Sequence, residues 1–205
     1  MPLPHDTEHL RFRRMTPADL DDMAKLLGDP AVMQFYPAPK TREQAAAWIA
    51  WNEDNDAQYG LGLWIIETHD GDFVGDCGLT WQRVNGELKL EVGYHVSPVW
   101  QGRGFATEGA AASRDSAQEH TDSSELVAIV HPDNRASSRV AENIGMRRVD
   151  DDRGADERVQ HVGACRYARL RDETARLAGL VRRVRPRPKF GATPSGSIAR
   201  GKPRP

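Results

Sequence analysis

The sequence predicts an α/β fold on three observations. Two helix-periodic segments come early, a β-rich stretch fills 61–96, and helical and short apolar segments alternate from 106 onward. A length of 205 residues suits one domain with a sizeable core. Thr16-Pro17-Ala18-Asp19 supplies an N-cap, a proline at the first helical position and an early acid. Leu20, Met23, Ala24 and Leu27 then share a face before Gly28, which makes a first helix. Thr41-Arg42-Glu43-Gln44 reads as a capping box, and Ala45, Trp48, Ile49 and Trp51 follow at near-helical spacing, which makes a second. Leu63 to Ile66, Phe73 to Trp81 and Leu88 to Val96 are β-rich runs separated by Asp70-Gly71 and Asn85-Gly86, the pattern of a three-stranded meander.

Ala106 to Ala117 is rich in alanine and free of proline, as a helix packed closely on a sheet requires. Leu126 to Val130 is an apolar run of buried-strand length, too short to span a membrane. Ala136 to Ile144 is a short helix. Met146 to Val149 and Val159 to Leu170 are late strands, separated by the charged run Asp150 to Arg158.

The segment from Val96 to Glu108 joins a strand end, a glycine-rich turn and a helix start. Gly102 and Gly104 allow left-handed or crowded backbone whose N–H groups turn inward on an anion. The helix beyond them aims its unpaired N–H groups and partial positive charge at the same point, an arrangement suited to a pyrophosphate.

Gln101-x-x-Gly104-x-Ala106, with Val96 five residues before the Gln, resembles the acetyl-CoA loop of the GNAT superfamily of N-acetyltransferases. The stretch from His131 to Met146 resembles that family's later signature, an Asn-x-x-Ser (Asn134 to Ser137), a short helix and a Gly-Phe strand start. Met146 stands where Phe is usual, and both fill an apolar gap. Glu91-Val-Gly-Tyr94 before Trp100-Gln-Gly-Arg-Gly-Phe-Ala-Thr-Glu108 is similar to the branch that includes ribosomal-protein N-terminal acetyltransferases. The resemblance implies the order β-α-α-β-β-β-α-β-α-β-β, a mixed central sheet with helices on both faces, and a splay between two central parallel strands. It implies acetyl-CoA as co-substrate, with Val96 pairing with pantetheine through its backbone. Gln101, Gly102, Arg103, Gly104, Phe105, Ala106 and Thr107 would wrap the pyrophosphate, Asn134 would bond the pantetheine arm, and Ser137 would lie near the sulfur. Arg103 also reads as a solvated loop arginine.

Acetyl transfer to an amine is attack by a neutral nitrogen on a thioester. A primary amine with a pKa of about 10.4 is protonated at neutral pH, so a group must take its proton. Glu91 and His95 lie on the strand leading to the loop, and the resemblance favours Glu91 as base. Glu91, Gly93 and His95 point to one face while Val92, Tyr94 and Val96 point to the other, so a bulge near the splay would reverse their facing. Glu91 also reads as a surface acid paired with Lys89 or Arg83. Ser137 reads equally as hydrogen-bond donor to the departing thiolate or as first-turn support for its helix. The acceptor site is expected between the first two helices and the later strands, where Phe35, Tyr36, Pro37, Trp48, Trp51 and Trp81 supply aromatic area.

Residues 1–173 carry a net charge of −11 and residues 174–205 carry +9 with no acid. The first reads as the acetyltransferase domain, whose acidity would attract cationic amines or is a solvated surface. The second reads as a disordered basic tail, with a short helix from Thr174 to Arg183, that solubilises the chain or contacts RNA. Cys77 and Cys165 lack metal-ligand spacing and read as buried apolar groups in a reducing compartment. His5 and His9 make no metal pair, so no metal is expected. With no visible secretory signal, the reading is a cytoplasmic protein, monomer or homodimer. The alternative function is a non-catalytic acyl-CoA sensor or RNA-associated module.

Overall fold

A computed structural model describes residues 1–151 and 165–170. The basic tail 174–205, its short helix, and the 159–164 portion of the expected last strand lie outside the described residues. A strand β1 (Leu10–Arg13) comes first, then a 3-10 turn (Pro17–Asp19) leading into α1 (Leu20–Gly28), and α2 (Arg42–Tyr59). The meander follows as β2 (Leu63–Thr68), β3 (Phe73–Val84) and β4 (Glu87–Val96). The rest is α3 (Phe105–His120), β5 (Glu125–Val130), α4 (Arg135–Asn143), β6 (Arg147–Asp151) and β7 (Cys165–Leu170).

This is the expected element order. β1 had no residues assigned to it, because four residues with two arginines carry little apolar signal. Leu10 and Phe12 are nonetheless buried while Arg11 faces out, the alternation of a half-buried strand. Among the described residues seven strands form one sheet, ordered β1-β2-β3-β4-β5-β7-β6. Every neighbouring pair is antiparallel except β4 and β5, which are parallel. The β3–β4 hairpin closes through Asn85 and Gly86, both at positive φ (50° and 83°), as a two-residue turn between right-twisted strands requires.

The parallel pairing is short and positions the site. β4 and β5 share only the pairs Leu90 with Leu126 and Glu91 with Val127, after which they separate. Lys89 pins the closed end, its Nζ lying 2.7 Å from Glu125 on β5 and 2.8 Å from Glu87. From Val92 onward β4 and β5 form no further ladder pair with each other, which is the predicted splay.

Each face of the sheet buries its own apolar layer. Val92 and Val96 pack with Phe105, Ala110 and Ala117 of α3, with Ala141 of α4, and with Ile144 and Met146, so Met146 fills its apolar gap. On the other face Ile65 packs with Met23, Leu26 and Leu27 of α1 and with Ala45 and Ile49 of α2. The α1 layer is anchored at its start by Asp19. Both carboxylate oxygens of this buried residue accept from the Arg13 guanidinium, at 2.7 and 2.9 Å, and the Thr16 backbone N–H donates at 2.7 Å. Burial would raise the Asp19 carboxyl, but the hydrogen bonds from Arg13 and Thr16 outweigh it and hold the group below its ordinary value. On the opposite layer, Glu108 in the first turn of α3 accepts from the hydroxyl of Thr7 and the backbone N–H of His9, fastening the N-terminal segment to that helix. Cys77 is buried against Ser113, and burial pushes its thiol up to about 12, as an inert apolar group. No helix among the described residues is long and apolar enough to cross a membrane.

Candidate active site

A cleft of about 610 Å³ opens where β4 and β5 part, a volume ordinary for a small-molecule site. Its walls come from the glycine turn and start of α3, the splayed strands, the first turns of α4, and residues 31–36 between α1 and α2.

At the turn, Gly102 and Gly104 adopt φ of 75° and 90°, the left-handed region that side-chain-bearing residues avoid. A Cβ at either would meet no atom within 4 Å, so backbone conformation and not crowding is what calls for glycine. Gly104 is the N-cap of α3 and brings no side-chain cap, leaving the N–H groups of Phe105, Ala106 and Thr107 to face the turn. The Phe105 ring is buried against Trp100 and His9, so this residue offers the turn only its backbone. Arg103 stacks its guanidinium over the Trp100 ring at 4.8 Å, beside the turn. Gln101 bends back so that its Nε2 donates to the Val96 carbonyl at 2.9 Å. The N–H groups of His95 and Ser97 both turn toward β3, reaching Asp76 and the Val74 carbonyl. By strand alternation the intervening Val96 N–H turns into the splay. These groups fit a CoA moiety: a ring of backbone donors for the pyrophosphate and a strand N–H for the pantetheine.

Across the cleft Asn134 caps α4, its side-chain oxygen accepting from the Ser137 N–H at 3.0 Å, which leaves its amide N–H₂ as the group able to donate to a pantetheine carbonyl. The Ser137 hydroxyl lies 2.8 Å from that of Tyr94, which also donates to the Ser137 carbonyl at 3.1 Å. First-turn support in α4 is therefore given by Asn134, and the Ser137 hydroxyl is joined to β4.

The β3–β4 register runs without a shift from Gly75 opposite Val96 to Val84 opposite Glu87. No bulge reverses the facing of β4. Tyr94 faces the α3–α4 layer with Ser137, while Glu91 and His95 face the layer of α1 and α2. Glu91 is half-buried, lines the cleft, and accepts from the Thr80 hydroxyl at 3.4 Å. Lys89, one of its expected surface partners, pairs with Glu87 and Glu125 instead.

His95 is buried at 7 % exposure and held on three sides. Its Nδ1 lies 2.7 Å from Asp76 Oδ1, its Nε2 lies 2.9 Å from the Tyr36 hydroxyl, and the Trp48 ring packs edge-on against it. Local sequence pattern gives Asp76 no role. An acid inside the apolar run Phe73 to Leu79 was the available signal, since buried carboxylates are rare without a partner. Of the expected acceptor-side aromatics, Phe35 and Tyr36 line the cleft and Trp48 contacts both His95 and Trp51. Trp81 belongs elsewhere. It pairs with Leu90 and packs on the α3-side core, because strand parity turns it away from the face shared by Thr80 and Glu91. No cluster of three or more potential metal ligands occurs among the described residues.

Residues 9–147 match the acetyltransferase (GNAT) domain family. An uncharacterized Bacillus subtilis protein, YkkB, is 37 % identical over 142 residues, covering 68 % of this chain and 83 % of the relative. Among solved structures, an acetyltransferase from Agrobacterium tumefaciens superposes with a TM-score of 0.70 at 24 % identity, covering 83 % of this chain and 95 % of that one. RimL, described as a ribosomal L7/L12 α-N-protein acetyltransferase in complex with coenzyme A, superposes at 0.65 with 15 % identity, covering 82 % and 98 %. These two structures share the fold.

Proposed function

The chain belongs to the GNAT acetyltransferase family, and from that premise we propose that it moves an acetyl group from acetyl-CoA to a primary amine by direct attack on the thioester. The observation that carries this reading is the position of Glu91. It is the last residue of β4 paired to β5, so its carboxylate stands at the mouth of the splay, on the face opposite Tyr94 and Ser137. Donor and acceptor can then meet through the gap between the strands.

The backbone donors from Gly102 to Thr107 hold the pyrophosphate, with Arg103 beside it, and the Val96 N–H and Asn134 hold the pantetheine arm. Glu91 draws in the substrate ammonium and takes a proton from it, freeing the nitrogen lone pair. The hydroxyl pair of Ser137 and Tyr94 donates to the sulfur as it departs. The acceptor is a protein N-terminus or a small-molecule amine. The shared fold with RimL supports the first, and the Glu91 carboxylate lining the cleft suits any cation. A cytoplasmic setting, where acetyl-CoA is made and used, suits this reading.

The test is release of CoA from acetyl-CoA in the presence of peptides with free N-termini, polyamines, amino acids or aminoglycosides, with calorimetry of acetyl-CoA binding alongside. Turnover with one class supports the transferase and names its acceptor. Binding without transfer to any amine would favour an acyl-CoA sensor.

A further inference from the structure

An amine that arrives as an ammonium has two protons to lose before it becomes an amide nitrogen, and Glu91 holds one. A second polar assembly in the same cleft has no task in the transfer described above. Asp76 is fully buried on β3 directly opposite His95, where one oxygen accepts from both the His95 backbone N–H and the ring Nδ1, and the other accepts from Trp48 Nε1 at 3.3 Å. In the neutral ring, a carboxylate at Nδ1 places the one ring proton there and leaves a lone pair on Nε2. The Tyr36 O–H therefore donates to Nε2, and the Tyr36 oxygen keeps its own lone pairs for a donor in the cleft it lines.

We propose that Asp76, His95 and Tyr36 form a second proton acceptor, which takes the proton shed by the substrate nitrogen as it bonds to the acetyl carbon. This rests on reading the cleft as an amine acetyltransferase site. Glu91 takes one proton from the ammonium, and the freed nitrogen pair forms the N–C bond while the carbonyl π pair moves to oxygen. The nitrogen, now positive, passes a proton to the Tyr36 oxygen as the Tyr36 hydroxyl proton moves to His95 Nε2, giving an imidazolium beside the Asp76 carboxylate. The oxygen pair returns, the C–S bond breaks, and its electrons leave on sulfur, which is protonated by the Ser137–Tyr94 pair. Glu91 and His95 then each release a proton to solvent and the hydroxyl pair takes one back, for a net release of one proton per acetyl group.

The surroundings agree with a hydroxyl that relays and does not ionise. Burial, with the charges of Glu91 and Asp76, pushes the Tyr36 phenol above its ordinary value, so it stays protonated and works by handing one proton on as it receives another. Around His95 the ionisable groups are Asp76 from β3, Tyr36 from the α1–α2 connection, and Glu91 from its own strand, while Tyr94 faces the other layer. Lys40 stands over the Trp48 ring, its Nζ 5.3 Å from the centroid.

The experiment is the pH dependence of kcat/KM for the full-length enzyme and its Y36F, H95Q and E91Q variants, with acetyl-CoA affinity measured by calorimetry. With two groups required in the deprotonated form, the acid limb of the wild-type profile falls with a slope of about two. It falls with a slope of about one in H95Q, in Y36F and in E91Q. Y36F and H95Q lower turnover by about 10- to 100-fold and leave acetyl-CoA affinity within about twofold. Y36F keeps the ring and removes only the hydroxyl, so it carries the test if H95Q folds poorly. Near-normal turnover and an unchanged limb in Y36F would overturn the relay alone. Absence of turnover by the wild-type enzyme with every amine would overturn the acetyl-transfer reading and the relay with it.

Discussion

On the α3–α4 side of β4 the groups offered to a ligand are mainly backbone: three helix N–H groups, two left-handed glycines and the Val96 N–H. On the α1–α2 side they are side chains drawn from four separate segments: Tyr36, Trp48, Asp76, and Glu91 with His95. The difference follows from what each half must do. Holding a pyrophosphate needs several donors at fixed positions, which a turn supplies locally. Moving protons needs ionisable groups in contact, which only tertiary packing assembles. Variants of the glycine turn on the first face should therefore change acetyl-CoA affinity, and those of the ionisable groups on the second should change turnover and its pH dependence.

The largest effect expected is for Gly104→Val, which forces a β-branched residue to a φ of 90°. The strain and the loss of aligned N–H donors together cost about 4 kcal/mol, roughly a thousandfold in acetyl-CoA affinity by calorimetry. A normal dissociation constant would remove the turn from the donor site. Next, Glu91→Gln should lower kcat about a hundredfold with acetyl-CoA affinity unchanged. Unaltered turnover between about pH 6 and 9 would take Glu91 out of the chemistry. Ser137→Ala should lower kcat about tenfold, through loss of a donor to the departing sulfur. Full activity would reduce the Tyr94–Ser137 contact to a packing feature.

The smallest effect comes from disturbing the start of α1, away from the ligand-facing groups on either side of β4. Asp19→Asn should cost about 1–2 kcal/mol of stability at neutral pH, read by urea unfolding, with kinetic constants little changed. Because the folded Asp19 carboxyl lies below its ordinary value, its stabilisation is present above the ordinary carboxylate range. It is lost as pH falls through the folded value. The gap between wild type and D19N should therefore narrow in acid, and a gap that widened would contradict the sign.

The same contrast explains what was legible in the sequence. Gly102, Gly104, Asn134 and the capping box at Thr41 act within a few residues of themselves, so their spacing announces them. The long helices and the meander likewise follow from periodicity. β1 was not placed from its residues, because its pairing with β2 lies more than fifty residues away. The joining of Asp76 to His95 depends on the β3–β4 register, and that of Tyr94 to Ser137 on how α4 packs, and neither is written in local pattern. Trp81 lies off the expected acceptor face because an aromatic residue announces burial without saying which face it is buried on.

The two faces of β4 act independently, one binding the donor and holding its departing sulfur, the other taking protons from the acceptor amine. A double-mutant cycle between Arg103→Ala and Glu91→Gln tests this independence, measuring acetyl-CoA dissociation constant and kcat in all four proteins. The prediction is that R103A weakens acetyl-CoA by about tenfold in either background and E91Q lowers kcat by one factor in either, with coupling below about 0.5 kcal/mol. A change in acetyl-CoA affinity from E91Q alone, or strong coupling between the two, would contradict the division.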